Sequence, residues 1–465
     1  MRITPGAIAG ALVAALVAAG CSAGTVGQEP RRVIIATSAA DVLVDERVAI
    51  TVHGLGAGDD VTLWARRVDD LGRPWLAHGT FTAGTDGTVA VATQAPRAGT
   101  YSGVDAMGLF SSMQVADGAA THPPFPVTAA PAAPVALTAL VDGEPVASTQ
   151  VVQRFAAPGV VTHPVREEGL VGELHVPPGP GPHPGVVLLG GSEGGVTESA
   201  VADLLAARGF ATLALGYFGA DGLPGELVRI PLEYFEQAFT WLRARPEVAD
   251  GRVGVIGTSR GGELALWLGA TFPQVGAVVS YVGSGLGYGG LPAAGFTGGP
   301  LPAAWTYRGK DLPFVMPTYG PAASARYLGT IVLGAPVTDI AGTWPDIQAA
   351  GPEAVAAATI PVERIDGPVL LLSGEDDRLW PSAPMSDVAF RRLADGGHPH
   401  RHEHHAYPGA GHYFGGAPFT GPFPTVLLWP IGFMTGGGTR EANARATADS
   451  WPRVLSTLRE GLESR

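Results

Sequence analysis

Val253-Gly254-Val255-Ile256-Gly257-Thr258-Ser259-Arg260-Gly261-Gly262 decides how the rest of this sequence is read. The run 253–256 is apolar without alternation, the pattern of a strand buried on both faces. Residues 263–268 continue with helical spacing, so Ser259 falls on a strand-to-helix turn. Glycine stands two residues to either side of it, giving G-x-S-x-G. A turn this sharp strains the serine backbone and lifts its hydroxyl out of the sheet toward the helix N-terminus, which only small neighbours permit. Alone, the motif is also a plain Gly-rich turn; its strand and helix context makes Ser259 the candidate nucleophile.

Working outward, the same rhythm repeats. Residues 185–190 form another continuous apolar run, and the spacing predicts a helix over 198–208, a strand over 211–215 and a helix over 232–243. Beyond the serine come strands over 277–281, 369–373 and 402–407 and helices over 388–393 and 440–462. Such alternation argues a mainly parallel sheet with helices on both faces. Residues 283–355 break it with Gly, Pro and aromatics and read as a cap-like excursion over the site. This α/β domain is expected over 160–465.

Before it the period is two. Val48, Ile50 and Val52 share one face, Val61, Leu63 and Ala65 repeat the scheme, and Gly/Asp-rich turns punctuate them. Residues 33–159 are therefore expected to form an all-β sandwich, with no helix signal. At the start, an apolar run over 6–20 follows Arg2, is too short to span a bilayer comfortably, and ends in Ala18-Ala19-Gly20-Cys21. Residues 1–21 read as a lipoprotein signal peptide, with Cys21 lipidated, and 22–32 as a tether. Ordinary secretion with cleavage elsewhere is the simpler alternative. The expected location is outside the cytoplasm, held to the membrane by a lipid anchor.

The chain has 465 residues, 46% apolar and 15% charged, enough to build more than one core and too apolar for a disordered protein. Net charge is −13 and Lys310 is the sole lysine, which excludes a phosphate-tracking nucleic-acid surface. Cys21 is the only cysteine, so the folded body has neither disulfides nor a cysteine nucleophile.

A serine hydroxyl needs a general base and the base an orienting carboxylate, which in α/β-hydrolases follow the serine in the order acid, then histidine. The turn after strand 369–373, Gly374-Glu375-Asp376-Asp377-Arg378, offers Asp377 as the acid, with Asp376 as the alternative. His412 closes the next strand on a tight loop and is the candidate base. The oxyanion requires fixed N–H donors: the amide of Arg260, and that of Ser192 or Glu193 in Gly190-Gly191-Ser192-Glu193-Gly194-Gly195. No Lys-Ser/Thr follows those glycines, against a phosphate cradle. His398, His400, His402, His404 and His405 suggest a metal, but a serine triad needs none, and a solvated strand explains them; no metal and no cofactor is expected.

With these residues in view, the chain resembles the family uniting bile acid-CoA:amino acid N-acyltransferases with type I acyl-CoA thioesterases. The resemblance rests on Val44-Asp45-Glu46, Gly54-Leu55, Asp60-Val61-Thr62-Leu63, Gly99-Thr100-Tyr101 and Met107-Gly108-Leu109 in the first part. In the second it rests on the Ser259 elbow, Ala304-Trp305-Thr306-Tyr307-Arg308-Gly309-Lys310, Ile360-Pro361-Val362-Glu363-Arg364-Ile365, Ala410-Gly411-His412, Gly437-Gly438-Thr439, Ala442-Asn443-Ala444 and Trp451. It implies an N-terminal β-sandwich, an α/β-hydrolase domain with the triad Ser259, Asp377 and His412, and an acyl thioester or ester as substrate. Amino-acid transferases of the family carry cysteine at the elbow and thioesterases serine, so Ser259 implies hydrolysis. An acidic chain attracts a CoA phosphate only where cations gather at the mouth, and Arg308, Lys310 and Arg326 are the candidates. The rival readings are an esterase acting outside the cytoplasm, an N-acyltransferase, and a non-enzymatic surface lipoprotein that binds a partner through its sandwich.

Overall fold

Apolar runs without alternation become the central strands of one eight-stranded sheet. The computed structural model describes residues 32–69, 72–116, 132–197, 199–292, 301–318, 325, 332, 337–420, 426–429 and 432–463. The chain divides into Met1–Arg32 and Val33–Arg465. Cys21, the segment 1–21 read from the sequence as a signal peptide, and Arg326 lie outside the described residues.

In the large sheet, β1 (Val161–Val165) pairs antiparallel with β2 (Val171–Val176), and β2 antiparallel with β4 (Ala211–Gly216). From β4 the order runs through β3 (Gly185–Leu189), β5 (Val253–Thr258), β6 (Val275–Tyr281), β7 (Val369–Gly374) and β8 (His402–Tyr407), every pair parallel. The helices are α1 (Ser199–Ala207), α2 (Glu233–Arg243), α3 (Arg260–Thr271), α4 (Ser382–Asp395) and α5 (Arg440–Glu463). Successive strand residues point to opposite faces, so the sheet builds two cores. On one face, Val187, Val255, Val278 and Leu371 meet α2 through Phe235 and Phe239 and α3 through Leu264 and Leu268. On the other, Leu188, Ile256, Val279 and Leu372 meet Leu204 and Leu205 of α1 and Val454 and Leu458 of α5. The architecture is that of an α/β-hydrolase.

Among residues 34–154, two sheets face each other across a third core. The smaller holds Ile34–Thr37, Ile50–His53 and Val89–Ala90; the larger is built on Asp60–Val68, Pro74–Thr82, Ala132–Val141 and Glu144–Arg154. Ile50 and Val52 meet Val61, Leu63, Ala65 and Phe81 there, all buried as the alternation predicts. One turn of helix, Gly108–Ser111, corrects the expectation of no helix; four residues are too few to show a 3.6-residue period. The sequence also gave no sign of β1, which is exposed except at Val165 and so lacks an apolar run. In the 283–355 segment, the described residues include a parallel pairing of Trp305–Tyr307 with Ile230–Pro231 and two short helices, Trp344–Gln348 and Pro352–Ala358.

The sandwich is joined to the α1 and α5 face. Val44, Ala133 and Phe155 enter that core, and the buried Asp45 carboxylate accepts from Arg208 Nε and Nη2 at 2.7 and 2.5 Å and from Trp451 Nε1 at 2.8 Å. Replacing Asp45 by alanine leaves a buried indole N–H without its acceptor and the half-buried Arg208 guanidinium with only the more exposed Glu46 as partner. Asp45→Ala is expected to cost about 2–4 kcal/mol, read as a lowered urea midpoint; a midpoint at the wild-type value would show that the joint contributes nothing.

Candidate active site

Ser259 lies between the last residue of β5 and the first of α3, with φ 57° and ψ −116°. A non-glycine residue at such a dihedral is strained and must be held by its surroundings. Its N–H donates to Tyr281 O at 2.8 Å, while its carbonyl accepts from Gly262 N at 2.9 Å and Glu263 N at 3.1 Å. The flanking glycines answer a close approach: a Cβ on Gly257 would strike the Gly261 carbonyl, and one on Gly261 the Gly190 carbonyl. Arg260 opens α3, so its amide is among those that no helical carbonyl reaches.

Because β5, β6, β7 and β8 run parallel, the loops that leave their C-terminal ends share the edge where Ser259 sits. The turn after β7 carries Asp377, and His412 follows β8. Asp377 Oδ2 accepts from His412 Nδ1 at 2.8 Å, with the two side chains 1% and 6% exposed. A carboxylate acceptor fixes the proton on Nδ1 and leaves Nε2 as the basic nitrogen. The other oxygen, Oδ1, accepts from Leu379 N at 3.0 Å and Trp380 N at 3.4 Å. Asp376, the alternative acid, turns away: it accepts from Arg378 Nε at 2.9 Å and Gly438 N at 3.1 Å. His412 is held by its own N–H to Gly436 O at 2.8 Å, by Asn443 Oδ1 accepting from Gly411 N at 2.8 Å, and by the Trp380 ring 6.3 Å away. Among the described residues no hydrogen bond joins Ser259 to His412, as is common for a serine and base without substrate.

The loop after β3 also reaches the elbow. A Cβ on Gly191 would lie 3.1 Å from Ser259 Cβ. Tyr217 Oη donates to the carbonyls of Gly190 and Gly191, each at 2.8 Å, and Glu193 Oε1 accepts from Gly191 N at 2.8 Å and Thr197 Oγ1 at 3.0 Å. Ser192 and Glu193 are exposed, and no hydrogen bond among the described residues uses their amides. Sequence reasoning missed the Glu193 carboxylate folded back on this loop, since nothing in a Gly-rich string specifies a side-chain direction.

It also missed the charge beneath the elbow. Glu263, fully buried, accepts from Trp305 Nε1 at 2.8 Å and Tyr288 N at 3.0 Å and pairs with Arg260 Nη1 at 3.0 Å. Arg260 in turn donates to Tyr288 O at 3.1 Å and lies over the Tyr288 and Trp305 rings. Burial pushes the Glu263 carboxyl above the usual range, against the pull of Arg260 and both N–H donors. The pair locks Tyr288 and Trp305 onto α3, and Tyr288 packs at 5.6 Å on Trp380, which packs on His412.

The histidine-rich strand spreads its rings over separate partners: His398 Nε2 with Gly367 O at 3.0 Å, His400 Nε2 with Asp366 Oδ1 at 2.8 Å, His404 Nε2 with Ser373 Oγ at 2.8 Å and His405 Nε2 with Glu403 Oε2 at 2.8 Å. His402 Nδ1 bonds to His400 O at 3.0 Å. No three His, Cys, Asp or Glu side chains among the described residues are arranged to hold a metal ion.

Comparison with known families and proteins bears on this geometry. Residues 45–167 match the family described as "Acyl-CoA thioester hydrolase/BAAT N-terminal region". Residues 230–290 and 343–464 match "BAAT / Acyl-CoA thioester hydrolase C terminal". Mitochondrial acyl-coenzyme A thioesterase 2 of Mus musculus is 30% identical over 435 residues, covering 90% of this chain and 87% of that protein. The chain belongs to the acyl-CoA thioester hydrolase/BAAT family. Mitochondrial acyl-coenzyme A thioesterase 2 of Homo sapiens is 30% identical over 427 residues, covering 90% and 82% of the two chains. Peroxisomal succinyl-coenzyme A thioesterase of Mus musculus is 30% identical over 423 residues, covering 88% and 92%.

The family's C-terminal match contains Ser259, Glu263, Asp377 and His412, and its N-terminal match begins at Asp45 of the interdomain joint. Tyr307 packs at 5.8 Å on Phe272, the residue that follows α3, and the Arg308 N–H donates to Glu233 Oε1 at the start of α2.

Glu263→Leu removes the counter-charge of Arg260 and the acceptor of two buried N–H groups. It is expected to cost about 3–5 kcal/mol in chemical denaturation, and Glu263→Gln, which keeps an acceptor, distinctly less. Equal losses would assign the effect to packing.

Proposed function

We propose that the protein hydrolyses acyl thioesters of the acyl-CoA type through an acyl-Ser259 intermediate. The observation that carries this reading is the Asp377–His412 hydrogen bond at the same sheet edge as the strained Ser259, in a chain whose relatives over nine-tenths of its length are acyl-CoA thioesterases by name. Ser259 Oγ attacks the thioester carbonyl as its proton passes to His412 Nε2. Asp377 stabilises the imidazolium. The tetrahedral oxyanion is held by the Arg260 amide and by that of Ser192 or Glu193. Its collapse breaks the C–S bond, and the imidazolium gives its proton to the leaving thiolate. Water then attacks the acyl ester with His412 as base, releasing the free acid and restoring the serine.

Hydrolysis is favoured over transfer to an amine by the nucleophile type. A serine oxygen ester is less reactive toward amines than the thioester a cysteine would form, so concentrated water takes the acyl group first. Ser259→Ala is expected to abolish turnover and fluorophosphonate labelling. Asp377→Asn should lower kcat by about 10⁴-fold, while Asp376→Asn changes it by less than about tenfold. Offered acyl-CoA with glycine or taurine, the unaltered enzyme should give free acid by mass spectrometry; mainly N-acyl product would replace this reading with the transferase one.

We further infer that Cys21 is lipidated and anchors the protein outside the cytoplasm, since the sole cysteine ends an apolar run over 6–20. Among the described residues no helix is long and apolar enough to cross a membrane. Cys21→Ala should shift the protein from the membrane to the soluble fraction while purified enzyme keeps its activity. Unchanged membrane association would reject lipidation.

A further inference from the structure

The histidine base of the proposed triad sits on a loop, and loops are the mobile parts of a fold unless something holds them. From His412 to Thr420 this loop has no strand or helix of its own, yet His412, Phe414, Ala417 and Thr420 are buried. Its first half is fastened from α5: Asn443 takes the Gly411 amide and the Thr447 hydroxyl donates to the Phe414 carbonyl. Its second half is fastened from the other domain. Arg67, on the sandwich strand Asp60–Val68 and 2% exposed, donates from Nη2 to the Thr420 carbonyl. Gln153, on Glu144–Arg154 and 1% exposed, donates from Nε2 to the neighbouring Phe419 carbonyl at 3.3 Å. Between these anchors Phe419 has φ 58° and packs its ring against the sandwich core.

A buried guanidinium is a costly way to fill space. Burial lowers Arg67 to about 10, so it is still charged at neutral pH. Asp69 favours that charge, but Asp69 itself accepts from Arg73 Nε at 2.6 Å and Trp75 Nε1 at 2.9 Å. The Arg67 guanidinium also lies 5.4 Å over the Trp75 ring. An apolar side chain of similar volume would serve stability as well or better. What it would not supply is a directed donor to the histidine loop.

We propose that Arg67, assisted by Gln153, is a positioning residue for catalysis: the sandwich grips the loop by the carbonyls of Phe419 and Thr420 and so keeps the His412 imidazole on Asp377. The proposal rests on the triad reading above. The sandwich thereby becomes part of the catalytic apparatus although it contributes no group to the chemistry. The strained backbone at Phe419 is what such a grip must hold, because a non-glycine residue stays in that region only when its surroundings over-determine it.

The test uses the full chain with Arg67→Met, Arg67→Lys and Gln153→Met, following acyl-CoA hydrolysis, thermal midpoint and the far-downfield proton resonance of His412 Nδ1–H. Arg67→Met should lower kcat by about 10–100-fold with KM within about threefold, the size of loss that a misplacement of about 1 Å produces. The downfield resonance should broaden or vanish. Arg67→Lys, which restores a donor, should recover most of the activity and the resonance, and Gln153→Met should move both in the direction of Arg67→Met by a smaller factor. Wild-type kcat and an unchanged resonance, with only the midpoint lowered, would reduce the contact to a structural one and overturn the proposal. If Arg67→Met does not fold, the Lys and Gln153 variants decide by the same criterion. Fluorophosphonate labelling of the unaltered protein separates the two readings. A label on Ser259 upholds the triad whatever Arg67 does, while a label elsewhere removes the triad and this proposal with it.

Discussion

The close approach of Gly257 to the carbonyl of Gly261 is the constraint on which the site depends. It lets the chain reverse from β5 into α3 within one residue, with Ser259 at φ 57° absorbing the strain. That conformation survives because β5 is locked on both sides, by β3 and β6, and because Tyr281 O takes the serine amide. A backbone outlier this well supported marks a place where local stability has been given up for geometry. The same parallel pairing that supports the elbow brings the loops after β3, β7 and β8 to its side, so a single steric fact organises the whole C-terminal edge of the sheet.

Buried charge stands at three of the junctions among the described residues. Glu263 and Arg260 join the elbow helix to Tyr288 and Trp305, Asp45 joins the sandwich to α1 and α5, and Arg67 reaches the loop behind His412. Pairs of this kind add little net stability over apolar residues of the same volume, because desolvation offsets the attraction. They do fix orientation, since each hydrogen bond is directional where apolar packing is not. The family's two matched regions meet across the Asp45–Trp451 and Arg67–Thr420 contacts, which gives a physical reason for a sandwich and a hydrolase domain to be found on one chain.

The proposed chemistry divides between the two kinds of support. Covalent steps fall on Ser259 and His412, whose reach is set by rigid elements: a strand end and a loop tied at both ends. Electrostatic steps fall on backbone amides at the start of α3 and in the Gly190–Gly195 loop, where Glu193 already holds the Gly191 amide.

The amino-acid sequence by itself determined the architecture, because burial on two faces leaves unbroken apolar runs such as 185–189 and 253–256, and burial on one face leaves the alternation of 61–65. It also offered Ser259, Asp377 with Asp376 as the alternative, and His412 as candidates, since the elbow is a local steric pattern and chain order narrows the rest. One edge strand escaped it: β1 buries only Val165 and so has no apolar signature. Only the tertiary structure separated Asp377 from Asp376, two adjacent carboxylates with the same chemistry, by turning one toward the imidazole and the other toward Arg378 and Gly438. It alone decided that Glu263 lies under the elbow and that Arg67 touches a loop more than 350 positions along the chain. The reason is common to all of these: a sequence pattern reports which face a residue buries, whereas the direction of a polar side chain is set by donors and acceptors that folding brings from elsewhere in the chain.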